Sequence, residues 1–176
     1  LAAIMAEQGL TAADIATIKA GISNPTYVHC AWPYKAQSVT AAQMNIFYGL
    51  AVMARDGAAF VDQFKPDRIA DPATLELISR IEAAVDPEIE ALGRAFRHMA
   101  RITVITRDGR TFSREERYRR GSPENPVSRD GVLAKFMAQA GAVLPGTQCD
   151  ALKADVLALD AASDVRPLIE KLVVSG

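Results

Sequence analysis

Cysteine, histidine and tryptophan are scarce in this chain, and the common catalytic signatures are missing. Its 176 residues hold two cysteines, two histidines and one tryptophan. Cys30 and Cys149 lie far apart, with no CxxC pair and no metal-ligand spacing. The expectation is two reduced, mostly buried thiols and no metal site. No G-x-S-x-G, H-E-x-x-H, P-loop or G-x-G-x-x-G pattern occurs. No nucleophile, base and orienting group can be assembled from the sequence alone. No apolar run approaches the roughly 18 residues needed to span a bilayer. Leu1 to Gly9 is too short for a signal peptide and lacks a basic start. A soluble cytoplasmic protein with no membrane partner is therefore expected. The chain has no initiator Met and starts inside a helix-like run, LAAIMAEQG, so residues are expected upstream.

The net charge of −1 excludes a globally basic balance of the kind that binds nucleic acid. The positive charge is local. Ten arginines fall between Arg94 and Arg129, against four acids, Asp108, Glu115, Glu116 and Glu124. Within this stretch two strand-like runs flank Asp108-Gly109, a hairpin signal. Three readings of the arginines stay open: a solvated strand edge that discourages aggregation, an anion or subunit contact, and nucleic-acid binding. No basic helix or aromatic interleaving accompanies the patch, so nucleic acid is not the expected partner.

A hydrophobic content of 49% allows an ordinary core. Leu1–Gln8 reads as a helix stopped by Gly9, and Ile15–Ile22 as a strand of alternating burial. Asn24–Ser38, with Pro25, Pro33 and three aromatics, reads as a loop. Thr40 and Gln43 fit a capping box. The helix they open carries Met44, Phe47, Tyr48 and Ala51 on one face and Ile46, Leu50 and Met53 on another. Asp71-Pro72 opens a further helix, Ile81–Val85 reads as a short strand, and Asp86-Pro87 opens a brief helical turn. After the hairpin, a helix from Ser128 to Ala140 is expected to bury Val132, Leu133, Phe136 and Met137. Two more amphipathic helices follow, over about Cys149–Leu159 and from Asp164, the latter burying Val165, Leu168, Ile169 and Leu172. The pattern is α+β: a small sheet with a β-hairpin packed by helices. The boundary expected near Leu144-Pro145-Gly146 divides it into 1–144 and a helical 145–176.

Few residues are candidates for chemistry. His29 shares an aromatic loop with Trp32, Tyr34 and Lys35, and such loops often carry function. His98 precedes the hairpin and reads as solvated or structurally bonded. Tyr48 is a phenol inside an apolar helix. It needs a hydrogen-bond partner if buried, and can otherwise act as a donor or proton carrier at a pocket wall.

Two ordered blocks resemble one family. The first is SVTAAQMNIFYGLAVMARDG (Ser38–Gly57) with AAFVDQF; the second is ITVITRDGRTF leading into RRGSPENPVSRDGVLAKF. Their order and separation resemble the MmgE/PrpD family, which includes 2-methylcitrate dehydratases, cis-aconitate decarboxylase and iminodisuccinate epimerase. The resemblance covers nearly all of this chain and about the second half of a family member. It implies a lid-type α+β domain whose last helices join an all-helical domain lying upstream. It also implies proton abstraction next to a carboxylate on a small di- or tricarboxylate, no metal or organic cofactor, and a homodimer. Tyr48 matches the family's tyrosine and is the catalytic candidate. Gln43 stands in a stretch where the family often has Lys or Arg. His29, Lys35 and Gln43 are the substrate-binding candidates. The alternative, from the residues alone, is a stand-alone binding or assembly module with an anion-contacting hairpin.

Overall fold

The computed structural model describes residues 1–173. It divides into two compact units, Leu1–Arg119 and the chain from Arg120 onward. The first unit is built on a four-stranded sheet. Its strands are β1 (Ile15–Ile22), β2 (Ile81–Val85), β3 (Ala100–Thr106) and β4 (Thr111–Glu116), in the order β2-β1-β3-β4. β2 runs parallel to β1, while β1–β3 and β3–β4 are antiparallel. The sheet is mixed and open, and the fold is α+β as the sequence pattern implies.

Alternation along β1 decides which face is buried. Ile18, Ala20 and Ile22 point to one side, where Ile18 meets Ile81 and Val104, and Ala20 meets Ala83 and Ile102. Ile15, Ile18 and Ile22 are fully buried, each contributing about 2 kcal/mol by apolar burial. Three helices cover this face: α1 (Ala2–Gln8), α4 (Ile46–Asp56) and α5 (Pro72–Ile78). They supply Ile4, Ala51, Ala54 and Leu77 to the same core. The opposite face carries Lys19, Glu82, Arg101, Thr103, Ser113 and Glu115, in the wet-faced pattern of a sheet covered on one side. The β3–β4 turn closes with Thr106 N–H donating to the Arg110 carbonyl at 2.9 Å, and Gly109 takes the left-handed φ of 87° that this turn needs.

Two expectations for this unit are corrected. Asn24–Cys30 is a helix, α2, rather than part of a loop. Ser23 is its N-cap and Pro25 lies in its first turn, where a missing N–H costs nothing. The Thr40 helix is two helices. Ser38, not Thr40, caps α3 (Val39–Gln43) by accepting from Ala41 N–H at 3.1 Å. The chain then breaks at Met44, and Asn45 caps α4. An asparagine accepts readily from the N–H groups two and three residues ahead, so it starts a new helix within an apolar run. Asp71 and Asp86 cap α5 and α6 (Pro87–Ala91), each with proline next in line.

The second unit holds α7 (Arg129–Ala140), α8 (Gly146–Leu157) and α9 (Arg166–Glu170). Cys149 and Leu152 of α8 are its buried apolar residues among those described. Burial of Val132, Val165, Ile169 and Leu172 is not borne out: all four are more than half exposed. Short helices in a unit this small have too little mutual surface to cover a full apolar stripe. Leu133, Phe136, Met137 and Leu168 are half-buried.

Candidate functional site

The segment from α2 to α4 is anchored at both of its ends. Ser23 Oγ donates to the Arg97 carbonyl at 2.6 Å and Thr26 Oγ1 donates to the same oxygen at 2.7 Å. Asn24 N–H donates to Glu90 Oε2 at 2.7 Å. These bonds pin the start of α2 to α6 and to the turn before β3. At the other end Asn45 works in two directions. Its Oδ1 accepts from Phe47 and Tyr48 N–H, and its Nδ2 donates to the Trp32 carbonyl at 2.8 Å. The buried Asn45 thereby ties the loop after α2 to the first turn of α4.

Tyr48 lies one turn into α4 and is fully buried. Its ring stacks on Tyr34 at 5.1 Å and meets Phe64 at 5.5 Å, both favourable aromatic separations. Its hydroxyl donates to the Gln63 carbonyl in the Val61–Phe64 turn. Tyr34 donates likewise to the Ile69 carbonyl at 2.7 Å. Burial pushes the Tyr34 phenol up to about 12 and also raises that of Tyr48, where Arg68 acts in the opposite sense. Both hydroxyls are thus occupied donors held in their neutral form. Transfer of a proton from Tyr48 requires its bond to Gln63 to break.

Beside this aromatic cluster the C-terminal half of α4 is ringed by charge pairs. Arg55 binds Asp71 and donates to the fully buried Thr74 hydroxyl at 2.7 Å. Arg68 Nη2 pairs with Asp56, which also accepts from Gln63 Nε2 at 3.3 Å. The Arg55 pairing, assisted by Thr74 and Ala73 N–H, holds the Asp71 carboxyl below its ordinary value.

His29, Lys35 and Gln43 all face solvent in the described chain. His29 is in the last turn of α2, Lys35 follows the stacked Tyr34, and Gln43 closes α3. They lie along the chain between Ser23 and Tyr48, which also exposes Tyr27, Val28, Trp32 and Met44. Tyr48 is in the core. The sequence reading gave no role to Asn45, placed Tyr34 only in an aromatic loop and Asp71 only at a helix start, and missed the pairing of Arg55 with Asp71 and Thr74. Asn45 was the most legible of them, as a cap residue standing before an apolar helical run.

A second concave region lies on the open face of the sheet, a groove of about 540 Å³ lined by Lys19, Gly21, Glu82, Asp86, Glu88 and Arg101 among others. Both of its cations are already engaged, Lys19 with Glu82 at 3.6 Å and Arg101 more closely. Arg101 contacts Asp86 at 2.5 Å, Glu88 at 2.7 Å and Glu115 at 2.5 Å, which raises its pKa further. Three carboxylates on one guanidinium make this a knot joining β3, β4 and the start of α6, rather than an open anion receptor. Among the described residues no group of three His, Cys, Asp or Glu side chains could hold a metal ion, and no helix is long and apolar enough to cross a membrane.

Comparison with known proteins bears on this geometry. Residues 1–161 match the MmgE/PrpD C-terminal domain. A cis-aconitate decarboxylase of Aspergillus terreus is 24% identical over 163 residues, covering 90% of this chain and 33% of its own length. A second cis-aconitate decarboxylase, from Aspergillus terreus strain NIH 2624 / FGSC A1156, is 25% identical over 155 residues, covering 86% of this chain and 31% of its own. The chain therefore spans about a third of the length of the curated relatives it matches.

Proposed function

Because the chain belongs to the MmgE/PrpD family through its C-terminal domain, we propose that it is the lid-bearing part of an enzyme acting on a small di- or tricarboxylate. In a dehydration or epimerisation, a proton is removed from carbon next to a carboxylate, and the carbanion expels hydroxide, released as water, or is reprotonated on its other face. In a decarboxylation, loss of carbon dioxide itself leaves the carbanion, which then takes up a proton. Negative charge developing on the substrate carboxylate needs donors aimed at it from a partly dry cleft. The observation that supports this reading best is the family match over residues 1–161, joined by similarity to two cis-aconitate decarboxylases.

Within this chain we assign the α2–α4 surface to the cleft. Lys35 offers a point charge for a carboxylate, Gln43 an amide donor and His29 an imidazole, all on exposed positions of one segment. The acid and base that move protons are assigned to the remaining two thirds of the enzyme. Tyr48 is assigned to positioning: its buried ring and its bond to Gln63 hold the Val61–Phe64 turn on α4. The test uses the intact protein in deuterium oxide with cis-aconitate, 2-methylcitrate and iminodisuccinate. Turnover of one of them with deuterium appearing at the carbon next to a carboxylate supports the reading. Failure to bind or turn over any of these polycarboxylates overturns it.

A further inference from the structure

Within the strands and the turn of the hairpin the arginines are matched with oxygen partners, Arg101 with three carboxylates. Arg110 pairs with Asp108 at 2.8 Å, Arg114 with Glu7 at 2.6 Å, and Arg107 donates to the Ala13 carbonyl at 2.9 Å. At the open end, beyond the last strand pair Ala100–Glu116, aromatic and imidazole rings also stand against them. The Arg117 guanidinium stands 5.0 Å over the Phe96 ring, and Phe96 meets Tyr118 at 6.0 Å. Arg97 Nε donates to Nε2 of His98 at 3.1 Å, so that nitrogen is an acceptor and carries no proton. Arg97, His98, Arg117 and Arg119 are all exposed.

We propose that this open end, with Arg97, Arg117 and Arg119 around Phe96 and His98, is a binding site for a doubly charged phosphate group. Arg117, just past β4, reaches over the Phe96 ring, the neighbour of Arg97 before β3, so both arginines belong to the same end of the hairpin. The two bonds that anchor the Arg97 carbonyl, from Ser23 and Thr26, fix its backbone on the α2 side. Guanidinium forks match phosphate oxygens two at a time. Packing against an aromatic face leaves the edges of the Arg117 fork free to donate. A phosphate dianion places two charges within one small group, which suits converging cations better than a single carboxylate does. After burial, the Arg97 and Arg119 charges further lower the pKa of the His98 imidazole. A bound dianion opposes those charges and favours a proton on Nε2 of His98, which then replaces the hydrogen bond from Arg97 with one donated outward. The site is independent of the carboxylate chemistry proposed above, since it lies on the sheet's hairpin and involves none of His29, Lys35, Gln43 or Tyr48.

The experiment titrates the intact protein with inorganic phosphate near neutral pH, reading the His98 ring protons by NMR and heat by calorimetry. His98→Gln assigns the resonance. The expected result is a saturable His98 shift, and at least a tenfold loss of affinity in the double variant Arg97→Gln with Arg119→Gln. Arg110→Gln, at the far end of the hairpin, is expected to bind as the parent does. Three outcomes overturn the proposal: chloride at matched ionic strength shifting His98 equally, Arg110→Gln weakening binding as much as the double variant, and citrate saturating the site while phosphate does not. Loss of phosphate binding leaves polycarboxylate turnover untouched, so the two failures are distinguishable.

Discussion

The carboxylate of Asp86 occupies the space that a side chain on Gly21 would need: a Cβ there would stand 2.8 Å from Asp86 Oδ2. The carboxylate has little room to retreat. Its Oδ1 accepts from Glu88 N–H at 2.9 Å and Ile89 N–H at 3.3 Å as the cap of α6, and its Oδ2 binds Arg101 at 2.5 Å. Gly21 has no left-handed backbone to protect, so the requirement is for space alone.

Gly21→Ala is therefore expected to destabilise the protein by about 1–3 kcal/mol, the usual cost of overpacking. A urea titration checks this, with a lower midpoint and an unchanged slope. Asp86→Ser keeps a capping oxygen and shortens the side chain, so the alanine is expected to cost less in that background. An unchanged midpoint for the single variant would show that Asp86 swings aside freely.

Asn45 joins two structures that can be separated by choice of variant. Asn45→Ala removes both the cap on α4 and the bond to the Trp32 carbonyl, and is expected to cost about 2 kcal/mol. Asn45→Asp keeps the accepting oxygen and loses the donor. It is expected to retain the helix and release the loop that carries Trp32. Trp32 is the one tryptophan in the chain, so its fluorescence reads the loop directly. Emission that reddens in both variants, with unfolding stability reduced mainly in the alanine variant, is the expected pair of results. Identical stability losses would mean that the two bonds act as one.

The strands, the hairpin and the proline-led helices were legible because their signals are local. Ile18, Ala20 and Ile22 alternate, Asp108-Gly109 marks a turn, and Asp71-Pro72 and Asp86-Pro87 each put a cap beside a residue with no N–H. The break at Met44 was not legible from apolar periodicity, since the apolar pattern runs unbroken across it. Only the competition among Ser38, Thr40 and Asn45 for free N–H groups decides where the helices begin. The helix at Asn24 was hidden by prolines and aromatics that also suit a loop, and it depends on the distant Arg97 carbonyl. The family was legible from ordered blocks, but the position of Tyr48 was not. A phenol in an apolar helix can face a cleft or a core, and only the Gln63 carbonyl and the Tyr34 ring distinguish the two.

The Asp71 carboxylate gives the fold an acid limit. Its Oδ1 accepts from Arg55, Ala73 N–H and Thr74 N–H, and these favour the ionised form, so its pKa falls below the ordinary 3.8. The unfolded chain then binds the proton more readily than the folded one. The stabilisation is present above pH 3.8 and is lost as pH falls through the lower folded value. Asp71→Asn keeps a capping oxygen and removes the charge. Its melting temperature is expected to lie below that of the parent at pH 7, with the gap closing in acid. A gap that stays constant from pH 7 to the acid limit would assign the effect to the cap alone.

Tyr48→Phe separates positioning from chemistry. The phenylalanine keeps the stack on Tyr34 and the contact with Phe64, and loses only the donor to the Gln63 carbonyl. That carbonyl accepts from inside the core, so the expected loss is about 1–2 kcal/mol of stability. In the reaction proposed for the intact protein, kcat is expected to stay within a few-fold of the parent, with the larger change in KM as the Val61–Phe64 turn loosens. A tenfold fall in kcat at unchanged melting temperature would place the phenol on the substrate instead. It would also require the Val61–Phe64 turn to release Tyr48 during each catalytic cycle, because the hydroxyl cannot serve Gln63 and a substrate oxygen with one proton.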